Sequence, residues 1–243
     1  MFIMSQKSKI NIVLLCAIGL LVLGGCGKRP SKVEQMRREK YVADSAALVA
    51  QQQSLVYYQS TLDSLLPKAQ TFLNDRFCYE KNKAYEDHGH YVHRRLRTSY
   101  NAERNYVQTY ITDDFRILVK LYSIGSRPLR PTQVTFSSEE RYNVFTGSSH
   151  SFEQEQWHDI LTLEDSSATA ALHFIDIYRA EPISVRMQGQ TSRTFRLSDR
   201  DKEALLDTYQ LGCLMRDIHQ LEKQIKQTNL EIQKYEHRIN HRT

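Results

Sequence analysis

Residues 211–239 read LGCLMRDIHQLEKQIKQTNLEIQKYEHRI. Leu211, Ile218, Ile225, Ile232 and Ile239 recur every seven residues, and Leu214, Leu221, Thr228 and Tyr235 hold the fourth position of the same heptads. Isoleucine at the first position and leucine at the fourth give a helix one continuous apolar stripe, the seam of a coiled coil. The coiled-coil interface is therefore expected at Leu211, Leu214, Ile218, Leu221, Ile225, Ile232, Tyr235 and Ile239, with Thr228 its one weak place. Ser198 followed by Asp201 resembles a capping box, and Asp199 and Glu203 suit the positive end of a helix. These signals place a long C-terminal helix over 198–243.

A second helical pattern covers 32–75. Tyr41, Leu48, Leu55 and Leu62 recur every seven residues, with Val42, Val49 and Val56 on the adjoining position and no glycine between Gly27 and Gly89. Pro67 lacks an amide donor and is expected to kink or end this helix near Leu66. At about 1.5 Å per residue, each helix would span roughly 60 Å.

Between them, 76–197 changes period. Phe115, Ile117, Val119 and Leu121 alternate, and Asp113-Asp114 makes a turn before them. Strands are expected within Tyr100 to Tyr110, at Gln133 to Phe136 and Tyr142 to Thr146, around Phe152 to Leu163, and at Ile183 to Leu197 with a turn at Gly189. Ser166 or Ser167 would cap a short helix whose face is Ala168, Ala171, Leu172 and Ile175. The expected fold is α+β: two long antiparallel coiled-coil helices flanking a small antiparallel β-rich domain with one short helix. Antiparallel pairing within one chain, hence a monomer, is preferred because the covalently tethered helix is present at high effective concentration. A coiled-coil oligomer is the alternative.

At the other end of the chain, Lys7 and Lys9 precede an apolar core from Ile10 to Leu23, short for a membrane span. Leu23-Gly24-Gly25-Cys26 follows and resembles the lipobox of bacterial lipoproteins. The resemblance implies a signal peptide over 1–25, lipidation of Cys26 and a tether over 26–31. It also implies an outer-membrane anchor with the body in the periplasm, or on the cell surface. The net charge of +5 includes Lys7 and Lys9, so the mature body is only mildly basic, and nucleic acid is not an expected partner. Cys78 and Cys213 remain once Cys16 and Cys26 are set aside. They are expected not to be bonded to each other, because a helix leaving the domain would carry Cys213 about 21 Å away.

Chemistry-bearing residues are few. His88, His90 and His93 lie close in sequence, but no second ligand cluster supports a metal site, and no cofactor is expected. On an extended strand His93, Arg95 and Arg97 share a face, a candidate anion or glycan surface, with Arg94 and Arg104 nearby. Trp157, Tyr142, Phe145 and Phe152 could line a sugar-stacking face, although strand patterning favours the core for them. There is neither a Gly-x-Ser-x-Gly elbow nor a His-Glu-x-x-His pair, and the glycine loops that cradle phosphate are missing. The reading is a non-enzymatic, membrane-anchored lipoprotein whose helical stalk presents a β-rich binding or assembly domain to a protein partner. A glycan- or lipid-binding lipoprotein and a chaperone-like helical clamp are the alternatives.

Overall fold

The computed structural model describes residues 31–81, 89–97 and 105–241. Cys26, the signal stretch, His88 and Arg104 lie outside the described residues. Helix α1 runs Lys32–Arg76, and Ser31 and Glu34 cap it reciprocally: Ser31 N donates to Glu34 Oε2 at 3.0 Å, and Glu34 N to Ser31 Oγ at 3.3 Å. The strands are β1 Phe77–Glu80, β2 His90–His93, β3 Tyr106–Thr112, β4 Ile117–Gly125, β5 Gln133–Ser138, β6 Arg141–Thr146, β7 Ser148–Glu153, β8 Trp157–Glu164, β9 Ser184–Gln188 and β10 Ser192–Arg196. A helical turn, α2, occupies Arg94–Arg97; α3 spans Asp165–Ile177 between β8 and β9, and α4 spans Asp199–Asn240.

The strands form two antiparallel sheets. One has the order β1-β2-β3-β4-β8-β7, the other β10-β9-β5-β6. Alternation decides which faces meet. Ile117, Val119 and Leu121 on β4, Val134 and Phe136 on β5, and Val185 and Met187 on β9 are buried, and the residues between them face away. Both sheets, α3 and the start of α4 contribute to one apolar cluster, with Leu172, Ile175, Ala204 and Leu205 fully enclosed. Each such leucine or phenylalanine contributes about 1.5–3 kcal/mol of transfer free energy. Strands β6 and β7 are joined through Gly147, so one run of chain passes from an edge of one sheet to an edge of the other. A side chain at Gly147 would strike the Thr162 carbonyl, which leaves glycine as the residue that fits.

The mixed helix-and-sheet class and the antiparallel sheets are as expected, and details differ. Helix α1 continues through Pro67 to Arg76. Pro67 is exposed, and so is Asp63, whose carbonyl it leaves without a helical donor, so water can satisfy that group. Leu48, Leu55 and Leu62 of the expected row are covered, whereas Tyr41 and two of the three adjoining valines are not. Tyr41, Val42 and Val56 are exposed at 44%, 52% and 65%, whereas Leu48, Gln51, Leu55, Tyr58, Leu62 and Leu65 are half-buried and Asp44 and Ala69 buried. Alternating steps of four and three residues link these positions; Val42 and Val56 fall off that line, while Val49 beside Leu48 is half-buried. Helix α3 begins at Asp165, after Glu164 with no side-chain cap, rather than at Ser166 or Ser167. Its buried face is nevertheless Ala168, Ala171, Leu172 and Ile175, as expected. Phe115 is not part of β4; it stands before it with φ of 64°.

The chain divides into two compact units, Met1–Gln52 with Glu231–Thr243, and Gln53–Leu230. The first holds the beginning of α1 and the last turns of α4, where Asp44 and Ile232 are buried and Arg238 Nη1 lies 3.6 Å from Asp44 Oδ1. The second holds both sheets, α3 and the remainder of the two long helices. Within it α4 does not leave the sheets at once: Leu211 and Met215 pack with Phe77 and Ile111, and Gly212 lies directly against Ile117. The Ser198–Asp201 box is formed, with Asp201 N donating to Ser198 Oγ at 3.1 Å and Ser198 N to Asp201 Oδ2 at 3.3 Å.

Candidate functional site

The end of α1, the end of β2, α2 and the first turns of α4 enclose a cleft of about 750 Å³ in the second unit. Arg76, His93, Arg94, Arg95, Arg179, Lys202, Glu203 and Asp207 are among its lining residues. The sequence pattern placed His93, Arg95 and Arg97 on one face of an extended strand. Instead β2 stops at His93, and Arg94–Arg97 turns helically because Leu96 reaches into the core, where it is 1% exposed. The three side chains then part company.

His93 is buried. Its Nε2 lies 3.1 Å from Asp207 Oδ2, and its Nδ1 accepts the backbone N–H of Arg95 at 3.2 Å. An Nδ1 that accepts carries no proton, so the proton sits on Nε2 and is donated to Asp207. Burial lowers the pKa of His93 from its ordinary value, against the Asp207 carboxylate, which pulls it upward. Asp207 Oδ1 also takes Arg76 Nη1 at 2.5 Å, and the Phe77 ring meets the imidazole edge-on at 5.1 Å between centroids. Arg95 pairs with Glu203 at 2.6 Å and Arg97 with Glu80 at 2.6 Å. Arg94 donates to the carbonyls of Phe77 and Asn74. Lys202, 5% exposed, donates to the carbonyls of Arg179 and Glu181 and to Asp199.

This arrangement has the parts of a general-base dyad without its freedom. The imidazole nitrogen that would take a substrate proton is already occupied by a backbone N–H, and the carboxylate is shared with an arginine. What the geometry does is fasten α4 to α1, β2 and the chain leading into β9. Asp207 lies 114 residues from His93, and no short-range pattern announces that partnership. A second buried ionic group was likewise missed. Asp159, fully enclosed, accepts from the backbone N–H groups of Leu129 and Arg130, from Ser151 Oγ and from Arg193, whose guanidinium also reaches Ser123 and the Arg127 carbonyl.

The remaining candidates scatter. His90 sits against Glu80, at 3.8 Å, and edge-on to Tyr110, and among the described residues no three His, Cys, Asp or Glu side chains gather as a metal site would require. Phe145 packs edge-on against Phe136, Phe152 stacks on His158 at 5.1 Å, and Trp157 is half-buried. Tyr142 and Phe152 are exposed, at 67% and 39%, so neither lies in the core that the strand pattern favours for them. Cys78 and Cys213 are free thiols. They are unpaired as expected, but not because α4 has left the domain; Gly212 and Leu211, next to Cys213, lie on the six-stranded sheet. Burial pushes the Cys78 thiol up, and its Sγ faces the Val92 carbonyl at 3.5 Å, while Arg216 Nη2 lies 3.3 Å from Cys213 Sγ. A second cleft of about 760 Å³ opens between α3 and α4, with Phe115, His173, Tyr209, Arg216 and His219 around it.

Each expected seam residue of α4 is at least half-buried: Leu211, Thr228 and Ile232 are buried, and Leu214, Ile218, Leu221, Ile225, Tyr235 and Ile239 are intermediate. Among the described residues no helix is long and apolar enough to cross a membrane. Neither the models of known families, nor the curated proteins, nor the solved structures contain a match to this chain.

Proposed function

We propose that this chain is a membrane-anchored bacterial lipoprotein, held by lipid on Cys26, whose two long helices pair antiparallel as a coiled-coil stalk and present the β-rich unit as a non-enzymatic binding or assembly domain. The observation that carries the helical part is burial inside a single chain. Thr228 and Ile232 are 7% and 9% exposed with no second copy present, which favours an intramolecular partner for the seam over a dimer. In the first unit the Asp44–Arg238 pair joins the beginning of α1 to the end of α4, the order antiparallel strands of a hairpin require. Two features support a binding rather than a catalytic role for the sheets: the ionic groups of the first cleft serve each other, and the four-stranded sheet leaves a broad face uncovered.

The anchor is tested by fractionating membranes from cells fed labelled palmitate. Wild-type protein should carry label and sediment with membranes, whereas Cys26→Ser should be unlabelled. Label on the substituted protein would remove the basis for the anchor. Helical pairing is tested on the unlipidated body, residues 27–243, by sedimentation. A monomer that stays monomeric but melts earlier with Ile225→Asp/Ile232→Asp fits the proposal. A dimer at low micromolar concentration that separates on mutation would give the seam to a second copy instead.

A further inference from the structure

The four-stranded sheet buries one face and exposes the other. Cross-strand register arranges that outward face into three rows of four side chains, one from each of β6, β5, β9 and β10. One row reads Tyr142, Ser137, Ser184, Arg196. The next reads Val144, Thr135, Arg186, Thr194, with Val144 48% exposed, and the third carries Gln133 and Gln188, whose amides bond at 2.9 Å. The chain contains 28 acids, yet none of the twelve outward positions holds one. The nearest acids along β5 and β6 are Glu139 and Glu140, on the turn beyond the Tyr142 end.

The contrast with the charged cleft is chemical. There Arg76 and Arg95 each face a carboxylate, as Arg97 does on Glu80 outside the cleft. On the sheet Arg186 and Arg196 are exposed, and among the described residues neither has a carboxylate partner. An array of hydroxyls and amides, two unneutralised guanidinium groups and one tyrosine ring 67% exposed, with Val144 the one aliphatic side chain among them, together suit a polyhydroxylated chain that bears negative charge. Strands about 4.8 Å apart make each row about 14 Å long, room for roughly three sugar rings. A membrane surface fits less well, because polybasic lipid-binding segments use about four to eight cations and this face has two.

From these observations we infer that the outward face of the β10-β9-β5-β6 sheet binds an acidic polysaccharide, with Arg186 and Arg196 on its carboxylate or sulfate groups and Tyr142 stacked on a sugar ring. The inference deepens the binding-domain reading above and rests on it. Neither the lipid label nor the sedimentation result depends on glycan, so the two fail separately.

Calorimetric titration of the full chain in neutral detergent tests it, with tetragalacturonate and a chondroitin sulfate tetrasaccharide as acidic probes and cellotetraose as the neutral one. At least one acidic probe should bind, more weakly as salt rises, and cellotetraose should not. Arg186→Gln/Arg196→Gln should weaken binding about tenfold, which corresponds to the loss of two exposed charge-assisted contacts, and Tyr142→Ala about fivefold. Arg186→Lys/Arg196→Lys keeps the charge and should retain most of the affinity. All these positions are at the surface, so thermal melts of the variants should match the wild type. The inference is overturned if neither acidic probe binds, if binding is unchanged in the glutamine variant, or if only phosphatidylglycerol vesicles bind.

Discussion

The two halves of α4 meet different surroundings, and the heptads begin only at Leu211, where the first half ends. In the first half Ala204, Leu205, Thr208 and Leu211 are fully enclosed, and Gly212 lets the helix backbone settle on Ile117. In the second half Leu214, Ile218, Leu221 and Ile225 are only half-buried, and beyond Met215, which still packs on the sheet, burial becomes deep again at Thr228 and Ile232. A helix lying on a sheet is covered across a wide arc, whereas a helix with a single helical neighbour is covered along a stripe. Helical periodicity therefore represents unequal amounts of stabilisation along one helix. A heptad count cannot rank them.

The largest expected effect tests that inequality directly. Leu205→Ala should cost about 2–5 kcal/mol, the range for deleting an enclosed leucine, and Ile225→Ala about half as much. Urea unfolding of the two variants measures both. Equal losses would mean that the second half is as fully packed as the first.

Acid should act on the first half alone. His93 titrates below its ordinary value, so the folded protein binds fewer protons than the unfolded chain, and the contribution of this group falls as pH drops below about 6.5. Thermal melts between about pH 7 and 5 should show that slope in the wild type. His93→Gln, which can still donate to Asp207, should flatten it. Hydrogen exchange should locate the loosening near Asp207 rather than beyond Leu221. An unchanged slope in the glutamine variant would mean that other groups set the acid sensitivity.

Smaller changes sharpen the boundary between the halves. At Gly212 a new methyl would lie 2.5 Å from Ile117 Cδ1. Gly212→Ala should therefore lose about 1–3 kcal/mol to overpacking, less up to about 1 kcal/mol of improved helix propensity. A stabilised variant would show that Ile117 moves aside freely. The smallest effect is expected at Thr228→Leu, which places an apolar side chain at the buried polar position of the seam and should raise stability by about 0.5–1 kcal/mol. A loss there would mean that the pairing has no room for leucine.

Much of this architecture was legible beforehand because it rests on local chemistry. The Ser198–Asp201 box, the alternation in β4, β5 and β9, the buried face of α3 and the long helix at α4 each follow from residues within a few places of one another. The failures share an opposite cause. Pro67 reads as a kink or an end, yet the helix runs on to Arg76, with Pro67 and Asp63 at exposed positions where water can reach the freed carbonyl. Tyr41, Val42 and Val56 read as part of the α1 stripe, but only Leu48, Val49, Leu55 and Leu62 of that pattern are covered. His93, Arg95 and Arg97 read as one cationic face because an extended strand was assumed; Leu96, drawn into the core, turns the backbone and sends each side chain to a different partner.

What the sequence by itself determined is periodicity: where the chain is helical, where it alternates, and which residues are apolar enough to be buried. Partnership was decided only in three dimensions. Asp207 neutralises Arg76 and orients His93, Asp159 collects donors from three separate segments, and the outward face of the four-stranded sheet is free of acids only once the register of β5, β6, β9 and β10 aligns their alternate residues. The physical reason is range. Propensity and patterning act over a few residues, whereas a buried charge takes whatever donor or acceptor the fold brings within about 3 Å, however far away it lies in the chain.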